Sequence, residues 1–206
     1  VGGLFVNRQG TGSLAPANDY NRTYAVDGRW GIGQNGLVQG FVGRTETPGR
    51  TGRDHALSVS SRYDSEAWRL IGGYQENGED FNPEVGFLRR RGFRKLDFGI
   101  NNTSRPDGFL KFQELTPHMS FTRFWNFDDI METSFLHLHF QGEFEDSSTA
   151  GVSLDVRSEE VFDEFSVSGI PIAPGRYDFN EITYSYNSDR SAPFSAGIRA
   201  TTAGFF

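Results

Sequence analysis

The chain has 206 residues and a formal net charge of −7, and it contains no cysteine. A disulfide framework, a thiol nucleophile and a thiolate metal site are therefore excluded, and the acidic balance argues against a nucleic-acid partner, which would need a concentrated basic face. Lys95 and Lys111 are the only lysines among 20 basic residues, while Phe and Gly number 20 and 25; a water-facing surface usually carries more lysine, yet no apolar run approaches the roughly 20 residues of a membrane helix.

Residues 1–9 read as a strand, which leaves no room for a signal pattern at this start; either the start has been removed or the protein is not exported. A Gly/Ser/Pro/Asn-rich loop follows through Asp19. Residues 20–32 alternate strongly, with Tyr24, Val26, Gly28, Trp30 and Ile32 on one face and Thr23, Asp27 and Arg29 on the other. Gln34-Asn35-Gly36 reads as a hairpin turn whose Asn-Gly supplies positive φ, and a strand of weaker alternation spans residues 37–47. After a polar loop over 48–54, residues 56–63 and 67–75 form a second hairpin around Asp64-Ser65. Leu57, Val59 and Tyr63 lie on its apolar side with Trp68, Leu70 and Tyr74.

Residues 76–90 form the longest irregular segment. Leu96, Phe98 and Ile100 then oppose Lys95, Asp97 and Asn101. Residues 109–127 read as one very long strand, in which Pro117 cannot donate to a ladder and should mark a bulge or broken pairing. The clearest pattern lies in residues 130–157. Leu136, Leu138, Phe140 and Phe144 oppose His137, His139, Gln141 and Glu143; beyond a polar turn, Val152, Leu154 and Val156 oppose Ser153, Asp155 and Arg157. A loop over residues 169–178, a strand carrying Ile182, Tyr184 and Tyr186, a short turn at 188–192 and a last strand complete a count of about eleven.

Two long amphipathic arms of this length meet the roughly 9 to 11 residues that a bilayer-spanning strand requires. The expectation is an all-β, antiparallel, up-and-down transmembrane barrel, present as an incomplete fragment over residues 1–206. Single-chain bacterial barrels generally have an even strand number, long loops at one rim and short turns at the other. Aromatic residues near strand ends, including Tyr20, Trp30, Tyr63, Trp68, Tyr74, Trp125 and Phe144, suit interfacial girdles. Alternation alone also fits a soluble carbohydrate-binding β-sandwich, which would bury Leu138 and Leu154 between two sheets.

The motif Phe81-Asn82-Pro83-Glu84-Val85-Gly86-Phe87 with Arg89-Arg90-Arg91-Gly92-Phe93-Arg94, together with Asn18-Asp19-Tyr20-Asn21-Arg22 and Val26-Asp27, resembles domain of unknown function 5916. That resemblance spans the whole chain. It implies an outer-membrane barrel in a bacterial cell, preceded by a family 9-type carbohydrate-binding module, and it brings no catalytic residues. Phe206 reads as a truncation point, since Thr202 and Gly204 occupy places where a closing strand should be apolar.

The candidate binding residues are Asn82, Glu84, Arg89, Arg90 and Arg91, in the loop that long irregular segments suggest is used for function. The Arg cluster could meet a lipopolysaccharide phosphate or another anion, or the loop could serve as a plug that stabilises a barrel mouth. His137 and His139, with His118 and Glu114 on a neighbouring strand, could hold zinc or form a hydrogen-bonded polar lining, the reading that spacing along a strand favours. A Ser-His-Asp hydrolase from His137 or His139, Ser120 or Ser153, and Asp155 can be drawn, but no nucleophile-elbow motif selects it. No catalytic residue, resident metal or cofactor is therefore assigned. Asp27, Arg29, Arg62, Arg69, Lys95, Asp97, Glu143, Asp155, Arg157 and Arg199 could line a passage or pair with one another to fill it. The expected partners are outer-membrane lipid and a glycan or small polar solute, with oligomeric state open.

Overall fold

A computed structural model describes residues 1–84, 86, 88 and 90–204. Its strands are β1 (Gly2–Gln9), β2 (Tyr20–Ile32), β3 (Gly36–Glu46), β4 (His55–Asp64), β5 (Trp68–Asn77), β6 (Phe93–Asn102), β7 (Phe112–Leu115), β8 (His118–Trp125), β9 (Met131–Phe144), β10 (Thr149–Val161), β11 (Phe165–Val167), β12 (Ile170–Ile172), β13 (Gly175–Asn187) and β14 (Gly197–Ala203). Among the described residues there is no helix. One sheet has the order β1-β2-β3-β4-β5-β6-β8-β9-β10-β13-β14, with β7 paired to β9, and β11-β12 is a separate small hairpin. The fold is thus an all-β, up-and-down antiparallel sheet. Among the described residues, β1 and β14 stand at the two ends of that order.

Contacts divide the chain into two units, Val1–Arg62 with Gly72–Leu96 and Trp125–Ile130, and Tyr63–Ile71 with Asp97–Phe124 and Met131–Phe206. In the first, β2 and β3 pair so that Thr23 opposes Thr45, Val26 opposes Val42 and Trp30 opposes Val38. Period-two geometry puts the threonine pair on one face and both apolar pairs on the other. Asn21, Thr23 and Thr45 are buried, while Val26, Trp30 and Val42 are exposed. In the second unit, β9, β10 and β13 put Leu138, Leu154 and Ile182 in one cross-strand row and Phe140, Val152 and Tyr184 in the next. Leu138, Phe140, Val152 and Tyr184 are all exposed. The opposite face carries the rows His137-Asp155-Glu181 and His139-Ser153-Thr183.

The buried hydrophobic residues are few: Ala56, Phe81, Phe93, Met131 and Ile172. A soluble sandwich needs a second layer over the apolar rows. Within the second unit, Leu138 is 36% exposed on that face.

Several boundaries differ from the sequence expectation for local reasons. Between β2 and β3, Gly33 takes the positive φ of 60° and Gly36 already pairs with Ile32, so the connection is Gly33-Gln34-Asn35 and Asn-Gly does not make the turn. The strand expected over 109–127 is two strands, since Thr116 and Pro117 interrupt it. Thr116 still donates its backbone N–H to Gln141 at 2.8 Å, but proline has no N–H to continue the ladder. β7 also shifts register against β9 between Phe112 and Glu114.

The expected loop over 169–178 instead contains β12 and the start of β13. Ser168 and Gly169, both at positive φ, turn the β11-β12 hairpin tightly. The connection after β13 is longer than the short turn read at 188–192. It runs to Gly197, closed by Ser188 N–H donating to Ala196 O at 2.8 Å.

Candidate functional site

Two places hold the residues that the sequence singled out, one in each unit. The first is the connection between β5 and β6, docked on the polar face of β2 and β3. Gly78 and Asp80 donate their backbone N–H groups to His55 O and Arg53 O at 2.8 and 3.0 Å, and Phe81 is buried. Asn82 is the hub. Its N–H donates to Thr45 Oγ1 at 2.9 Å, its carbonyl accepts from Asn21 Nδ2 at 2.7 Å, and its side-chain oxygen accepts from Arg91 at 2.7 Å. Asn21 also donates to Thr47 Oγ1 at 2.8 Å.

Buried polar groups must find partners, and the loop supplies those partners to β2 and β3. Glu84 pairs with Arg8, which also holds Asp19 at 2.6 Å, and Arg90 lies over the Phe93 ring at 5.7 Å. Arg89 lies outside the described residues. Of the five candidate binding residues, Asn82, Glu84 and Arg91 are thus engaged inside the protein.

The second place is the polar face of β8, β9 and β10. His118 begins β8, and His137 and His139 sit two apart on β9. Ring centroids are 5.2 Å apart for His118–His137, 4.8 Å for His118–His139 and 5.7 Å for His137–His139. One ring nitrogen from each histidine lies within 4.8 Å of the other two, and all three residues are half-buried. Across the β9-β10 ladder, Asp155 Oδ1 meets His137 Nδ1 at 2.5 Å. The same carboxylate accepts from Arg157 at 3.2 Å, and Arg157 lies over Phe135 at 4.8 Å.

His137 and His139 line a polar concavity of about 740 Å³ with Ser153, Thr183, Ser185 and Arg199. Gly151 leaves room beside His139, since a Cβ there would stand 3.1 Å from His139 Nε2 and 3.3 Å from Phe140 O.

The structure brings His118, His137, His139 and Asp155 together, but not Glu114, which pairs with Arg105 at 2.7 Å. The hydrolase triad is not assembled. His137 and Asp155 pair, but among the described residues no hydrogen bond joins Ser120 or Ser153 to either β9 histidine. Of the charges expected on the polar face, Arg69 pairs with Asp64 at 2.8 Å and Asp97 accepts from Thr122 at 2.8 Å, so part of that set is consumed by local pairing.

A third cluster escaped the sequence reading. Arg94 Nη2 donates to Asn126 O at 2.7 Å and to Asp129 at 2.5 Å, and it lies 5.4 Å from both the Trp125 and Phe127 rings. Arg53 lies 4.6 Å from Phe127, and Tyr74 and His55 share Glu76 at 2.7 and 2.5 Å. The only signal for it was aromatic residues beside arginines at strand ends.

Compared with protein-family models, with curated proteins and with solved structures, the chain finds no match in any of the three. Its chemistry has to be argued from its own geometry.

Proposed function

We propose that this chain is part of a bacterial outer-membrane β-barrel that handles small polar solutes or glycans at the membrane. One observation carries the reading: side chains that a soluble protein would bury are exposed in continuous cross-strand rows, while several polar side chains are buried. Leu138, Phe140, Val152, Val156, Tyr184 and Ile198 are exposed, whereas Asn21, Thr23, Thr45 and Asn77 are buried. Contiguous exposed apolar surface of this extent marks an interaction with lipid or protein.

The dimensions agree with a bilayer. From Leu136 to Phe144 the apolar row of β9 runs about 26 Å along the strand at ~3.3 Å per residue. A tilt of ~40° reduces that to about 20 Å of height, near the ~25 Å apolar band of outer-membrane barrels. Next to this row, Ser134 opposes Ser158, which in turn opposes Asp178, a change to polar residues where a headgroup region would begin. Exposed aromatics sit beside short connections, with Trp30 ahead of the β2-β3 turn and Tyr63 and Trp68 around the β4-β5 turn, as interfacial anchors do.

The test is fractionation of the protein in its native host. It is expected to float with outer membrane and to resist extraction by high salt and alkaline carbonate. Recovery in the soluble fraction would overturn the reading.

A further inference from the structure

We propose that His118, His137 and His139 form a binding site for a divalent transition metal of the Zn2+ type on the polar face of β8 and β9. Imidazole nitrogen suits Zn2+, Cu2+ and Ni2+ better than the hard cations Mg2+ and Ca2+. Three nitrogens within 4.8 Å of one another are close to a ligand set, because a tetrahedral ion with Zn–N distances of about 2.0–2.1 Å places its nitrogens about 3.3 Å apart. Closing the difference takes ring rotations, which leave the strands where they are.

The second observation is Asp155. Its contact with His137 Nδ1 leaves Nε2 as the nitrogen His137 would offer a metal, the carboxylate–histidine arrangement that orients and strengthens ligating imidazoles. Gly151 keeps the approach to His139 Nε2 clear. Three protein ligands leave a tetrahedral ion one position for water or for a donor atom of a solute in the adjoining concavity. With no cysteine in the chain, no thiolate competes for the ion.

The inference rests on side-chain geometry within one unit and does not depend on the membrane reading, so flotation and metal binding can fail separately. The experiment is equilibrium dialysis of the protein in detergent against ZnCl2, with far-UV circular dichroism to report folding. One saturable ion per chain is expected. His137→Gln and His139→Gln should each weaken binding at least about tenfold, Asp155→Asn by about 10–100-fold, and His55→Gln, the remaining histidine of the 4, should leave it unchanged. Absence of saturable binding, or equal loss in His55→Gln, overturns the proposal. Should the β9 variants unfold, Zn K-edge absorption on the unaltered protein decides: three imidazole scatterers support the site, and one or none overturns it.

Discussion

Val26 and Val42 stand directly opposite each other across β2 and β3 and are 55% and 56% exposed. Three positions along the same ladder, Thr23 and Thr45 are also opposed, and they are 4% and 1% exposed. Within one pair of strands, hydroxyls are enclosed and valines are not. In water this ordering would waste roughly 25 cal/mol for every Å² of apolar surface left uncovered. Against acyl chains it costs nothing, and it is the polar face that must find partners.

The first prediction follows from that inversion. Leu138→Arg places a charge in the middle of the apolar row shared with Leu154 and Ile182. On the proposed outer-membrane reading it should destabilise the protein by about 2–4 kcal/mol, the cost of a charge near the midplane of a barrel. Ser185→Arg, on the opposite face beside the polar concavity, should change stability by less than about 1 kcal/mol. Denaturant unfolding in lipid vesicles measures both. Equal effects would mean that the two faces meet the same environment.

The loop between β5 and β6 should depend on Asn21 more than on its exposed ion pair. Asn21→Ala removes donors to Asn82 O and Thr47 Oγ1 and leaves a half-buried carbonyl without that donor, at about 1–3 kcal/mol. Glu84→Gln breaks an exposed pair with Arg8, worth about 0–1 kcal/mol. Limited proteolysis between β5 and β6 should accelerate strongly in the first variant and little in the second.

Gly78 is needed where it stands. A Cβ at that position would lie 1.9 Å from Arg53 O, a backbone atom that cannot rotate away. Gly78→Ala should therefore push the loop off the β3-β4 connection and destabilise it by about 1–3 kcal/mol. Faster amide exchange at Gly78 and Asp80, whose N–H groups bond to His55 O and Arg53 O, is the readout.

The β9-β10 turn should loosen in acid. Asp146 accepts from Ser148 Oγ at 2.6 Å and from its N–H at 3.0 Å, and those bonds hold its carboxyl below the ordinary value. A lowered folded value means that the stabilisation is fully present above the unfolded value of about 3.9. It is lost as pH falls through the folded one. Amide exchange at Ser148 should rise over that acid range in the unaltered protein, and in Asp146→Ala it should already be fast at neutral pH.

Period-two alternation was enough to locate most of the strands, to assign Leu138, Leu154 and their neighbours to one face, and to anticipate the interruption at Pro117. That signal is local, since side-chain direction along an extended chain follows from backbone geometry alone. It could not say that Gly33 makes the first tight turn in place of Asn35-Gly36, because turn type depends on how the ladder ends. Nor could it reveal that Asn82 spends its hydrogen bonds on Thr45, Asn21 and Arg91, that Glu114 turns to Arg105, or that His118 from one strand joins His137 and His139 from another. Several of those pairings join positions far apart in the chain, Asn82 to Asn21 across 61 residues. Spacing carries no information about them, because they exist only once cross-strand register sets which side chains share a face and how far apart they stand.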